Sequence, residues 1–172
     1  FSGSRAHRVL PSCPTRRSSD LPATQGGYVL SGARNGQVTL IASGPEVAVA
    51  MAAARLLAGQ GVRAAVVSIC CWEVFARQTQ AYRATVLGET EAHGQSTLRV
   101  GIEAASSFGW ERWLGADGIF IGMDDFGISA PANAVYERFG ITAKAVCRRV
   151  MERLGVADPA QGSAHEADPS LK

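Results

Sequence analysis

Gln37-Val-Thr-Leu-Ile-Ala-Ser43, then Gly44-Pro45-Glu46, then an apolar run to Gln60, then Gly61-Val-Arg-Ala-Ala-Val-Val-Ser-Ile69: the reading of this stretch decides the fold. Val38, Leu40 and Ile41 make a short β-rich run that Ser43-Gly44 breaks. Pro45 suits the first helical position, where no backbone N–H is required, and Glu46 suits the positive end of the helix dipole. Val47 to Leu57 is almost wholly Ala, Val, Leu and Met, with good helix formers throughout. Gly59 and Gly61 offer a stop, and Val62 to Ile69 gives a second buried strand. Parallel strands need such a crossover, and it is nearly always right-handed. The stretch therefore predicts a βαβ unit.

On the N-terminal side, Gly26-Gly-Tyr-Val-Leu30 predicts a short strand, and Asn35-Gly36 is a hairpin-turn signal before the Val38 strand. An antiparallel edge strand is thus expected ahead of the βαβ unit. Residues 1–25 carry Pro11, Pro14 and Pro22, a Ser/Arg-rich run and little periodicity. They lack the apolar core of a signal peptide. Arg8 to Leu21 resembles the translation of a sequencing adapter, with a native linker or targeting segment as the alternative. Residues 1–25 are expected to be a non-native or disordered leader, 26–155 the domain, and 156–172 a disordered polar tail.

On the C-terminal side, Glu73 to Leu87 predicts one or two short helices anchored by Val74, Phe75, Tyr82, Val86 and Leu87. Gly88 to Ser96 reads as a polar loop, and Thr97 to Ile102 as the third parallel strand, ending at Glu103. Phe108 to Leu114 is a compact aromatic helix or turn, and Gly118 to Gly122 a fourth, short strand of the parallel set. Pro131 opens a helix with Val135, Tyr136 and Phe139 facing inward, and Gly140 stops it. Thr142 is the expected N-cap of a last helix with Ala145, Val146, Arg149, Val150 and Leu154 on one stripe, ended by Gly155. Alternating strands and helices predict an α/β sandwich with a mainly parallel sheet.

The 172 residues suit one domain, and 47 % apolar with 19 % charged residues is a globular composition. The net charge of +2 with scattered basic residues argues against nucleic acid as a partner. No run of ~18 apolar residues is present to span a membrane. Cys13, Cys70, Cys71 and Cys147 have neither CxxC spacing nor a His-rich context, which argues against zinc and a disulfide scaffold and for a reduced, cytoplasmic setting.

Few residues offer chemistry. Ser43-Gly44-Pro45, between strand and helix N-terminus, is either an anion cradle or a structural turn; it is neither G-x-G-x-x-G nor a Walker loop. Glu103, at the carboxyl end of a strand, is either a general acid or base or a structural carboxylate. Asp124-Asp125 is either part of a cation site or a pair of solvated loop acids. Cys70-Cys71 reads as buried, inert thiols, and Trp72, Trp110 and Trp113 as packing or interface aromatics. The histidines (His7, His93, His165) complete no nucleophile constellation. No self-contained active site is visible.

A set of short motifs occurs in order: Leu40-Ile-Ala-Ser-Gly-Pro-Glu-Val47, Val66-Val-Ser68, Phe75-x-x-Gln78, Tyr82-Arg-x-x-Val-Leu87, Val100-x-Ile-Glu-Ala104, Phe108-Gly-Trp110, Ile121-Gly-Met123, Phe126-Gly-x-Ser-Ala-Pro131 and Phe139-Gly-Ile-Thr142. Together they resemble the C-terminal domain of transketolase, from about Gly26 to Leu154. Two departures are Ile69-Cys70-Cys71, where the family usually has a proline after the strand's serine, and Asp124-Asp125, where it usually has small or hydroxyl residues.

The resemblance implies a three-layer α/β/α sandwich on a mainly parallel mixed sheet of about five strands. It also implies a parent enzyme moving a two-carbon ketol unit between ketose and aldose phosphates, as in the pentose phosphate pathway or Calvin cycle. That parent uses thiamine diphosphate with Mg2+ or Ca2+ and works as a homodimer, the cofactor lying between the two preceding domains. Their Gly-Asp-Gly and Asn-Asn signature is not in this chain: Asp117-Gly118 follows an alanine, and Asn35 and Asn133 are far apart. No catalytic, cofactor-binding or metal residue is carried over. The expected partners are the remaining transketolase domains and a second subunit, with the aromatic patch at Phe108, Trp110 and Trp113 as the expected interface. A stand-alone binding module for an anion or partner protein, and the C-terminal subunit of a split transketolase, are the alternatives.

Overall fold

The computed structural model describes residues 22–32, 36–89, 97–125 and 130–156. A 3-10 turn at Pro22–Gln25 leads into β1 (Gly27–Ser31). Then come β2 (Val38–Ala42), α1 (Glu46–Gly59), β3 (Ala64–Ile69), α2 (Trp72–Ala76) and α3 (Gln80–Leu87). The chain continues through β4 (Leu98–Ile102), α4 (Glu111–Leu114), β5 (Ile119–Ile121), α5 (Ala132–Arg138) and α6 (Ala143–Leu154). The five strands form one sheet in the order β1-β3-β2-β4-β5. The pairs β2–β3, β2–β4 and β4–β5 are parallel, and β1–β3 is antiparallel.

The βαβ unit is as its sequence predicts: β2 and β3 run side by side from Val38↔Ala64 to Ala42↔Ser68, with α1 as the crossover. Pro45 already has helical dihedrals one residue ahead of α1. Gly61, at φ +76, takes the left-handed conformation that turns the chain back.

Side chains alternate across the sheet with period two, and each face has its own core. Val38, Leu40 and Ala42 of β2 join Val66, Val100 and Ile102 on one face, under Ala50, Ala53 and Leu57 of α1 and Val146, Val150 and Met151 of α6. Ile41, Val67 and Ile69 point the other way, toward Phe75 of α2, Val86 and Leu87 of α3, and Trp110, Trp113 and Leu114. Residues on both faces of one strand must be apolar for this to work, which is why the parallel strands read as nearly continuous apolar runs. Gly101 in the middle of β4 matters here. A Cβ on it would lie 2.8 Å from Trp110 Cε3, so the missing side chain is what lets the indole rest on the sheet.

The helix ends follow local chemistry. Thr79 and Thr142 cap α3 and α6 by accepting from the backbone N–H groups of Tyr82 and Ala145. Gly88 and Gly155 end them in the left-handed conformation.

Three expectations need correction. β1 is an antiparallel edge strand, but it is not the hairpin partner of β2: it pairs with β3, from Gly27↔Ile69 to Ser31↔Val66. The crossover sets β3 on that side of β2, so on that side it is the outer edge of β3 that is left to pair. Asn35, which carried the hairpin signal, lies outside the described residues. The expected aromatic interface is also overturned in large part. Trp110 and Trp113 are 2 % and 4 % exposed and pack inside the domain; only Phe108, at 89 %, faces out. Trp72 meets both rings edge-on at centroid distances of 5.3 and 6.3 Å, and the Arg112 guanidinium lies over Trp72 and Trp113. Finally, Arg149 is exposed, and Met151 takes the buried place on α6 instead.

Two substitutions separate these roles. Trp110→Ala should lower unfolding free energy by about 3–5 kcal/mol, the usual result of emptying a large buried site. Phe108→Ser should stay within about 0.5 kcal/mol. Urea unfolding followed by far-UV circular dichroism reads both; a large loss for Phe108→Ser would contradict the packing described.

Candidate functional site

The parallel strands all end at one edge of the sheet, where α/β folds place their functional groups. Register sets the first pair. Ala42 of β2 lies opposite Ile102 of β4, so the next residues, Ser43 and Glu103, leave the sheet side by side. The Ser43 hydroxyl donates to Glu103 Oε2 at 2.5 Å. The sequence offers these two residues as separate candidates; the fold makes them one unit.

Glu46 opens α1 and is 2 % exposed. A buried carboxylate needs partners. The Tyr136 hydroxyl, from α5, donates to Glu46 Oε1. The other carboxylate oxygen folds back toward the turn, 3.7 Å from where a Cβ on Gly44 would stand. The amino-terminal end of the α1 dipole adds a favourable field. Segments after β2, after β4 and within α5 thus meet in a network of two carboxylates and two hydroxyls.

The electrostatics follow from that composition. The Glu46 carboxylate holds the Tyr136 proton and, with burial and the added negative field of Glu46 and Glu103, pushes the phenol up to about 12. Burial pushes the Glu103 carboxyl above the ordinary carboxylate range; the Ser43 hydrogen bond opposes this and the Glu46 charge adds to it. The turn Ser43-Gly44-Pro45 is therefore lined by the chain's own negative charge. A second anion there would meet two carboxylates, so the arrangement favours a structural turn over an anion cradle. Its hydroxyl protons are already engaged by the two carboxylates. What the geometry does is tie α1, β4 and α5 together at the end of the sheet.

The other candidates are dispersed. Asp124 and Asp125 are exposed beyond β5. Among the described residues no three His, Cys, Asp or Glu side chains group as a metal site. Cys70 is exposed and Cys71 half-buried, which corrects the expectation of two buried thiols. The parallel edge of β3 ends at Ile69, and the chain turns outward there. Cys70 Sγ lies 3.5 Å from the carbonyls of Ala23 and Gly26, and Cys71 Sγ 3.4 Å from Glu73 Oε2. His7, His93 and His165 lie outside the described residues, as does most of the Phe126-to-Pro131 motif.

Sequence reasoning missed the Glu46–Tyr136 pair. It took Glu46 only as an acid at a helix start and Tyr136 only as an inward ring. One signal was present: Glu46, Ala50, Ala53 and Leu57 follow i, i+4, i+7, i+11 spacing, so the glutamate stands on the buried face of α1.

Tyr136→Phe leaves the buried carboxylate without its donor and should cost about 1–3 kcal/mol in urea unfolding. In an absorbance titration, one tyrosine should ionise near the raised value, and Glu46→Gln should return it toward ~10. A raised phenol pKa keeps its contribution to stability below the unfolded value and loses it as pH rises through the folded one. Glu103 has the same sign at lower pH. Its folded carboxyl holds a proton longer than the unfolded one, so its contribution declines as pH rises through and above the ordinary carboxylate range. The stability difference between the parent chain and Glu103→Gln should therefore shift toward the variant as pH rises from about 4 to about 7. A difference that is flat with pH would refute the assignment.

Comparison with known proteins agrees with this geometry. Residues 26–142 match the family described as the transketolase-like TK C-terminal domain. A transketolase of Sinorhizobium medicae is 45 % identical over 151 residues, covering 87 % of this chain and 21 % of that protein. The structure of a transketolase from Leishmania mexicana superposes with a TM-score of 0.67 at 37 % identity, over 79 % of this chain and 19 % of that one. A structure titled as a split gene transketolase, inactive beta4 tetramer, superposes with a TM-score of 0.58 at 26 % identity, over 78 % of this chain and 44 % of its own. The chain spans about a fifth of the length of the transketolase relatives it matches. By sequence and by fold, the chain belongs to the transketolase C-terminal domain family.

Proposed function

We propose that this chain is the C-terminal part of a transketolase and that its own role is structural. In the whole protein the reaction is two-carbon ketol transfer between a ketose phosphate and an aldose phosphate. The observation that carries this reading is the family match over 26–142 in a chain that equals only 21 % of its relative. The domain is taken as 26–155, with 1–25 and 156–172 outside it. Its partners are the other transketolase domains and a second subunit, and its compartment is the cytoplasm. No helix among the described residues is long and apolar enough to cross a membrane.

Thiamine diphosphate and its divalent cation belong to the parent enzyme. The residues at the end of this sheet do not fit them: Glu46 and Glu103 would repel a diphosphate, and two carboxylates already bonded to hydroxyls make a poor hard-cation set. The cofactor is therefore assigned to the rest of the protein. The beta4 form of the split transketolase, more than twice as long as the part matched here, is itself titled inactive, which supports an inactive role for the smaller piece.

Supplied with thiamine diphosphate, Mg2+, a ketose phosphate and an aldose phosphate, the 172-residue chain should give no turnover above background. Measurable ketol transfer would overturn the proposal. A chimaera in which residues 26–155 replace the corresponding domain of the Sinorhizobium medicae enzyme should assemble and retain activity. A folded but inactive chimaera would count equally against a purely supporting role.

A further inference from the structure

A second feature of the same sheet edge has the opposite charge and takes no part in the network above. A cavity of about 310 Å³ opens beyond the end of β5, lined by Gly122 and Met123 and by the first two turns of α6. Arg138, the last residue of α5, and Arg148 and Arg149 of α6 all line it, against one carboxylate, that of Asp124. Phe139 supplies an apolar wall, and the Arg138 guanidinium lies 5.9 Å from the centre of that ring.

The arginines are weakly engaged. The Arg148–Glu152 pair has a 3.8 Å separation and is exposed on both sides, a geometry worth little in water. Arg138 and Arg149 have no acidic partner among the described residues. Solvated helix faces usually carry both signs of charge; here three arginines from two helices line one concavity. The planar fork of arginine matches phosphate oxygens two at a time, and an ammonium does not. The volume is at the low end for a small-molecule site and is small for a nucleotide.

We propose that this cavity binds a phosphate monoester of a small carbon skeleton, with the arginines on the phosphate and the skeleton against Phe139. This does not depend on the proposed structural role of the domain. It concerns a surface of this chain alone.

Calorimetric titration of the 172-residue chain tests it, with glycerol 3-phosphate and inorganic phosphate as probes at low and physiological salt. Glycerol 3-phosphate should bind saturably and more tightly than inorganic phosphate. Arg138→Ala with Arg149→Ala should weaken it by about ten-fold or more, the usual effect of removing charge-assisted hydrogen bonds. Arg55→Ala, on exposed α1 surface away from the cavity lining, should leave it unchanged. Asp124→Asn should tighten binding, because it removes the one opposing charge. Equal binding of the two probes would reduce the site to a bare-ion contact and overturn the proposal. So would the absence of saturation, an equal loss with Arg55→Ala, or weaker binding by Asp124→Asn. Far-UV circular dichroism on each variant separates lost binding from lost fold.

Discussion

Strand β2 has no side that faces water. All five of its residues are buried, and it is paired on both edges, to β3 and to β4. Its apolar faces must therefore be covered twice, and each cover must come from chain that leaves and returns. The crossover helix α1 and the last helix α6 meet the requirement on one face; α2, α3 and α4 meet it on the other. The rest of the topology follows. With β2 central, β3 and β4 become inner neighbours, and the edges fall to β1 and to the three-residue β5. β5 is short, and β1 departs from regular register between Val29 and Ser31. Those are features that limit pairing with other chains.

The same constraint fixes what happens where the strands end. Parallel strands bring Ser43 and Glu103 to neighbouring exits, and the buried face of α1 brings Glu46 beside them. This is the position at which related architectures hold ligands, and here it is filled from within. The hydroxyls of Ser43 and Tyr136 satisfy the carboxylates. Charge separates along this edge, with the acidic network over β2 and β4 and the arginine-lined cavity beyond β5.

Much of this was legible in the sequence, and the unread parts have a common cause. The βαβ unit could be read because its signals are local: a β-rich run, a Gly-Pro turn, an alanine-rich helix. The Thr142 cap and the Gly155 stop could be read for the same reason. What failed depended on distant partners. The Asn35-Gly36 signal was local. It could not say that β1 would reach past β2 to the edge of β3. Trp110 looked like an interface ring because Gly101, which makes room for it, is informative only once the two are in contact. Glu46 and Tyr136 are separated by 90 positions, and no short-range pattern joins them. The ordered set of family motifs agreed with the α/β class, but motifs describe strands and turns, not which hydroxyl meets which carboxylate.

All three tryptophans of the chain sit on one side of the sheet: Trp72 touches Trp110 and Trp113 edge-on, and all three belong to the layer formed by α2, α3 and α4. The opposite layer, with α1 and α6, holds none. Tryptophan fluorescence of this protein is therefore a report from half of it. At these separations the indoles share excitation, so emission comes from the cluster and not from three independent sites. A loosening of α6 from α1 could pass without any change in colour or intensity. Optically, the domain is a two-sided object seen from one side.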